Sequence, residues 1–297
     1  MNKMTWRDRL IDPRSPDRRP RRAAYALPTL FTAGNVFLGF YAILEIFQAA
    51  LQLPAAGAAA IRHFQIASIA IGAAIFLDGL DGRIARMTNT VSDFGREMDS
   101  LADVIAFGIA PAVLAFAWGV QFVDPAIDRV TLEYLHRAGY FVAFLFLLCG
   151  AMRLARFNIQ KNPIPSNPGR PDRKYFVGLP IPAAAGMVAS VVYAAESEPL
   201  HNWTISAAWL CLIALLSFLM VSTWRYPSFK DLNLLQPRSP LMFVLLGSII
   251  YLILNFSQPV LLGVCICYVG SGIAIRMGGI LRRKLRQTPK QPEQQVG

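Results

Sequence analysis

Apolar runs of about twenty residues recur along this chain, separated by short polar stretches. That alternation predicts eight membrane-spanning helices, at roughly 27–51, 64–86, 98–120, 139–157, 178–195, 203–222, 239–255 and 259–278. Pro54 and Gly57 punctuate the first connection and Pro125 the third, while Pro163, Pro165, Pro168 and Pro171 make the fourth irregular. A soluble domain of this length would not carry so many runs, so the expected architecture is all-α, a polytopic membrane bundle occupying residues 25–280. Residues 1–24 read as a basic leader, with Trp6, Leu10 and Ile11 giving its first part a weak apolar face suited to a short surface helix. Residues 281–297 are basic, then rich in Gln and Pro, and read as a disordered tail. The first apolar run, from near Leu27, has no small-residue cleavage site after it, so no cleavable signal is expected. No internal repeat of solenoid length and no glycine-rich phosphate loop is evident.

Composition agrees: 55% of residues are hydrophobic and 16% charged, with a mean hydropathy of +0.42. The net charge of +11 could suggest a nucleic-acid partner, but its distribution argues against one. With the N-terminus in the cytoplasm, 26 of the 29 Lys and Arg residues fall on the cytoplasmic side, and only Arg62, Arg129 and Arg137 on the other. This is the charge bias that sets membrane topology. It predicts a multi-pass protein of the inner (cytoplasmic) membrane with both termini cytoplasmic. Cys149, Cys211, Cys265 and Cys267 fall inside apolar segments without metal-ligand spacing and read as small buried hydrophobes.

Chemistry concentrates where the second and third spans meet. Asp78-Gly-Leu-Asp81-Gly82-Arg-Ile-Ala85-Arg86 ends one span, and Gly95-Arg-Glu-Met-Asp99-Ser-Leu-Ala-Asp103 opens the next. Ionisable groups at such depth are costly unless paired or bound to a cation. On a helix Asp78 and Asp81 lie about 60° apart, with Gly82 and Ala85 close to the same face and Arg86 about 80° from Asp78. Gly95, Asp99 and Asp103 follow i, i+4, i+8 and form one stripe. Packed antiparallel, the two helices would aim four carboxylates into one space, where they need protons or cations. An all-oxygen ligand set suits a hard cation, Mg²⁺ or Mn²⁺, and four carboxylates suit a pair of them. Gly82, Ala85 and Gly95 leave the helix surfaces bare for a flat or bulky group, and Arg86 offers a cation to a phosphate. The remaining spans read as free of ionisable groups in their interiors. That absence, with all four carboxylates at one face, speaks against the competing reading of a cation transporter.

The spacing Asp78-x-x-Asp81-Gly82-x-x-Ala85-Arg86, eight residues, Gly95-x-x-x-Asp99-x-x-x-Asp103 resembles the signature of the CDP-alcohol phosphatidyltransferases, and every position of it is matched. The resemblance implies a membrane enzyme in which an alcohol displaces CMP from a CDP-linked lipid, with Asp103 as general base and the other aspartates mainly as metal ligands. Pro28-Thr-Leu-Phe-Thr32-Ala-Gly-Asn35 is similar to a segment that helps hold the nucleotide in this family, which implies roles for Thr32 and Asn35. Arg153-Leu-Ala-Arg156-Phe-Asn158 and Tyr175-Phe-Val-Gly178-Leu-Pro180-Ile-Pro182, with the run from Asp99 to Gly108, resemble the serine-using, membrane-integral bacterial branch of the family. The implied substrates are then CDP-diacylglycerol and L-serine, and the implied assembly a homodimer. Serine carries a carboxylate that a guanidinium, Arg153 or Arg156, can take bidentately, and an ammonium that Asn158 can accept from. Gly178 and Pro180 complete the expected acceptor residues. The same chemistry with glycerol 3-phosphate, an inositol compound or choline stays open, since Lys161, Arg170, Arg173 and Lys174 could serve a phosphorylated acceptor. The resemblance covers about residues 27–182, and no motif marks the last three spans.

Overall fold

The computed structural model describes residues 22–52, 57–88, 93–124, 128–160, 175–227, 247, 251–252 and 255–286. The chain runs through α1 (Arg22–Gln52), α2 (Gly57–Thr88) and α3 (Asp93–Asp103), then a π-helical turn (Val104–Ile109) that leads directly into α4 (Ala110–Gly119). It continues through α5 (Arg129–Gln160), β1 (Tyr175–Val177), α6 (Ile181–Ala194), α7 (Trp203–Val221), β2 (Arg225–Pro227) and α8 (Ser257–Arg286). Six helical stretches among the described residues are long and apolar enough to cross a membrane, and α6 is a shorter apolar helix. The expected count of eight is therefore not reached among the described residues. The fifth expected span is the short α6, and the seventh, 239–255, falls mostly outside the described residues.

Helices run further than hydropathy suggests. The span expected from 139 starts at Arg129, because Arg137 and Glu133 pair across one turn and Leu135 is buried against a cluster of Val120, Val123 and Leu210. Charged residues that pair along one helix extend it without raising its hydropathy. Likewise α8 runs on to Arg286, past the expected tail boundary at 280.

The α1–α2 pair shows how the bundle is held. Ala42, Ile46 and Ala49 on α1, and Ala60, Phe64, Ala67, Ile71 and Ala74 on α2, are each at most 1% exposed. Their alternating steps of four and three form a heptad seam whose alanines let the two backbones approach closely. The large apolar side chains of α1, Phe37, Phe40, Leu44 and Phe47, are exposed instead. Big residues outside and small ones inside is the packing of helices in lipid, where no hydrophobic force favours burying Phe over Ala. Cys211 and Cys267 are also exposed and Cys265 is half-buried, so only Cys149 matches the expected burial.

The π turn follows Asp103 directly. Its wider ladder, marked by the Ala110 amide donating to the Ile105 carbonyl, turns Ala106, Phe107 and Gly108 inward. Gly39 of α1 makes this packing possible, since a Cβ there would lie 2.7 Å from the Ala106 Cα. Beyond the helices, β1 and β2 form a short antiparallel pair in which Phe176 faces Tyr226. Gly178 leaves this pair at φ +79° with its amide donating to the Trp224 carbonyl at 2.8 Å. A Cβ at Gly178 would meet the Met220 carbonyl oxygen at 2.5 Å, so glycine is required by conformation and by space. Pro180 then caps α6.

Candidate active site

The carboxylate oxygens of Asp78, Asp99 and Asp103 converge. Asp78 lies near the C-terminal end of α2, while Asp99 and Asp103 stand one turn apart on α3. One ligand atom from each lies within 4.8 Å of those of the other two, in a half-buried setting. Like charges this close repel by roughly 3–4 kcal/mol per pair at the effective dielectric of a protein surface, so the cluster needs positive charge. Two oxygens on one Mg²⁺ at about 2.1 Å stand at most about 4.2 Å apart, so this spread is near the span of a single ion and comfortable for two. Oxygen-only donors and close convergence fit a hard divalent cation. The side chains of Asp81, Ala85 and Arg86 lie outside those the structure describes. Gly82 borders open space, with nothing within 4 Å of where its Cβ would be, and Gly95 lies on α3 half-buried.

A family model described as CDP-alcohol phosphatidyltransferase matches residues 25–228. The chain belongs to the CDP-alcohol phosphatidyltransferase family. It is 40% identical over 215 residues to the CDP-diacylglycerol--serine O-phosphatidyltransferase of Helicobacter pylori (strain 26695), covering 72% of this chain and 77% of that one. It is 31% identical over 204 residues to the protein of the same name from Bacillus subtilis, 69% of this chain and 91% of the relative. The archaetidylserine synthase of Methanothermobacter thermautotrophicus is 33% identical over 204 residues, 68% of this chain and 70% of its own.

As a CDP-alcohol phosphatidyltransferase, the chain carries its other expected site residues in two groups. Thr32 and Asn35 are buried on α1, Asn35 completely. Neither amide atom of Asn35 has a hydrogen-bond partner among the described residues. A buried amide without partners costs about 1–3 kcal/mol, so a polar ligand at this point would be favoured.

The second group splits. Arg153 is half-buried, its Nε lacks a hydrogen-bond partner among the described residues, and its charge is within electrostatic reach of Tyr268 and Asp103. Arg156, one turn on, is exposed. Asn158 donates through Nδ2 to Ser100 Oγ at 2.9 Å, which ties the end of α5 to the carboxylate-bearing α3 beside Asp99. Gly178 and Pro180 have the backbone roles described above.

Two polar features escaped the sequence reading. Glu45 of α1 and His63 of α2 pair at 2.6 Å, with Tyr41 one turn before Glu45 on the same face of α1. The expectation that the other spans are free of interior ionisable groups is therefore wrong. Each partner satisfies the other across the helix seam, which hydropathy along one helix does not register. The second feature is Tyr268 of α8, half-buried with its ring 5.9 Å from that of Tyr226.

Proposed function

We propose that this enzyme transfers the phosphatidyl group of CDP-diacylglycerol to the hydroxyl of L-serine, giving phosphatidylserine and CMP. The observation that carries the reading is the convergence of Asp78, Asp99 and Asp103, at signature spacing, in a chain of this family. The names of the three relatives above supply the acceptor, since all of them include serine.

Asp78, Asp81, Asp99 and Asp103 would hold two divalent cations, Mg²⁺ or Mn²⁺. When bound, such ions neutralise the pyrophosphate and stabilise the departing CMP. Asp103 accepts the serine hydroxyl proton as the oxygen forms its bond to the lipid-bearing phosphorus. The bond from that phosphorus to CMP breaks in line, and the electron pair leaves with CMP. A carboxylate is a weak base for an alcohol, so it acts as bond formation proceeds. Thr32, Asn35 and Arg86 hold the CDP moiety, while Gly82, Ala85 and Gly95 let cytidine lie against bare helix. Arg153 takes the serine carboxylate, supported by Arg156, and Asn158 accepts from the ammonium with Gly178 and Pro180 alongside. The protein sits in the inner (cytoplasmic) membrane as a homodimer with both termini in the cytoplasm, so the site meets cytosolic serine directly. Basic residues on that side support the orientation.

The test is CMP release from CDP-diacylglycerol by purified protein across a panel of serine, glycerol 3-phosphate, inositol and choline, with and without chelator. Release with serine alone, lost on chelation and restored by Mg²⁺ or Mn²⁺, is expected. Release with glycerol 3-phosphate but not serine overturns the substrate.

A further inference from the structure

Ser100 stands on α3 between two of the converging aspartates, one residue after Asp99 and three before Asp103. Its hydroxyl makes two hydrogen bonds. It donates to the Arg96 carbonyl, one turn back on the same helix, at 3.0 Å. It accepts from Nδ2 of Asn158, near the C-terminal end of α5, at 2.9 Å. Ser100 and Asn158 are 58 residues apart in the chain, and both are half-buried. A serine hydroxyl carries one proton and two lone pairs. With that proton directed at the Arg96 carbonyl, the oxygen has only lone pairs left for Asn158. A side-chain amide has two ends of nearly the same shape, one a donor and the other an acceptor. Ser100 tells them apart. The nitrogen facing it makes a hydrogen bond, whereas the amide oxygen facing it would set lone pairs against lone pairs. The reverse arrangement would require the hydroxyl to give up the Arg96 carbonyl. The amide is therefore held with Nδ2 on α3 and Oδ1 as its outward end.

We propose that Ser100 is a positioning residue: it fixes the polarity of the Asn158 amide, so that Oδ1 rather than Nδ2 meets the acceptor's ammonium, and thereby selects an amino-bearing alcohol. The inference rests on the reading of Asn158 as the partner of that ammonium. An ammonium has three donors and no acceptor, so a reversed amide would oppose N–H to N–H and leave both unpaired. The relay ends on a backbone carbonyl of the helix that carries Asp99 and Asp103. The amide is thus fixed relative to the carboxylates where the alcohol reacts, and not to α5 alone.

Ser100→Ala removes the hydroxyl and leaves the Asn158 amide free to turn. It should raise the apparent KM for serine about fivefold, the scale of one neutral hydrogen bond, while the KM for CDP-diacylglycerol stays within about twofold. 3-Hydroxypropanoate keeps the hydroxyl and carboxylate of serine and lacks the ammonium. Its inhibition constant against serine should therefore stay within about twofold in the same variant. Ser100→Cys, which keeps the volume but hydrogen-bonds weakly, should show the same split. In an Asn158→Ala background Ser100→Ala should add little, because no amide is left to orient. An unchanged serine KM, a loss of 3-hydroxypropanoate binding equal to that of serine, or fully additive effects in the double variant each overturn the proposal. The equal loss would make Ser100 a tie between α3 and α5 and nothing more. CMP release with glycerol 3-phosphate but not serine overturns the substrate and this inference together, whereas serine turnover without the split overturns this inference alone.

Discussion

Removing the charge from Asp103 while keeping its shape separates binding from turnover. Asp103→Asn should leave CDP-diacylglycerol binding largely intact and lower kcat by about 10²–10⁴-fold, the usual contribution of a positioned base. Titration calorimetry with the lipid and steady-state CMP release measure the two halves, and normal turnover would remove the base assignment. The two arginines of α5 differ in burial, so their substitutions should differ as well. Arg153→Ala should raise the serine KM far more than the lipid KM, and Arg156→Ala should do so by a smaller factor because an exposed guanidinium is solvated and screened. Equal effects on both substrates would leave Arg153 as a residue that only anchors the helix end.

At the level of elements, the site depends on how closely α1 approaches the π turn after Asp103. The space beside Gly39 is closed by Ala106 backbone, which cannot move aside as a side-chain tip would. Gly39→Leu should therefore push the two elements apart, costing about 1–3 kcal/mol of stability and misplacing Asp103. Thermal melting in detergent and CMP release should fall together, and retained activity would show that the contact does not hold the carboxylate in place. The π turn itself was not legible from the sequence. An i, i+4, i+8 stripe predicts a helix face correctly only as far as the α ladder lasts, and here it ends at Asp103. The heptad seam of α1 and α2 was present in the sequence, but hydropathy scores Ala and Phe alike and concealed which of them face inward.

For the molecule as a whole, charge distribution predicts which side of the membrane each end of the bundle meets. In a background lacking the four native cysteines, Arg62→Cys and Glu97→Cys should react with an impermeant maleimide from opposite sides of the membrane, with Glu97→Cys on the cytoplasmic side. Labelling of both from one side would contradict the assignment. Glu97 is exposed near the start of α3, and Arg62 exposed near the start of α2, so both are reachable.

The order of apolar runs and the spacing of Asp78, Asp81, Asp99 and Asp103 were settled by sequence alone, because both are properties of residues a few positions apart. Hydrophobic length dictates a span, and a fixed step along a helix dictates a face. Tertiary structure decided what no local period encodes. It brought Asp78 of α2 to Asp99 and Asp103 of α3, paired Glu45 with His63, and buried Arg153 more deeply than Arg156. Each depends on which faces of different helices meet, and that choice is made by packing, through residues as small as Gly39.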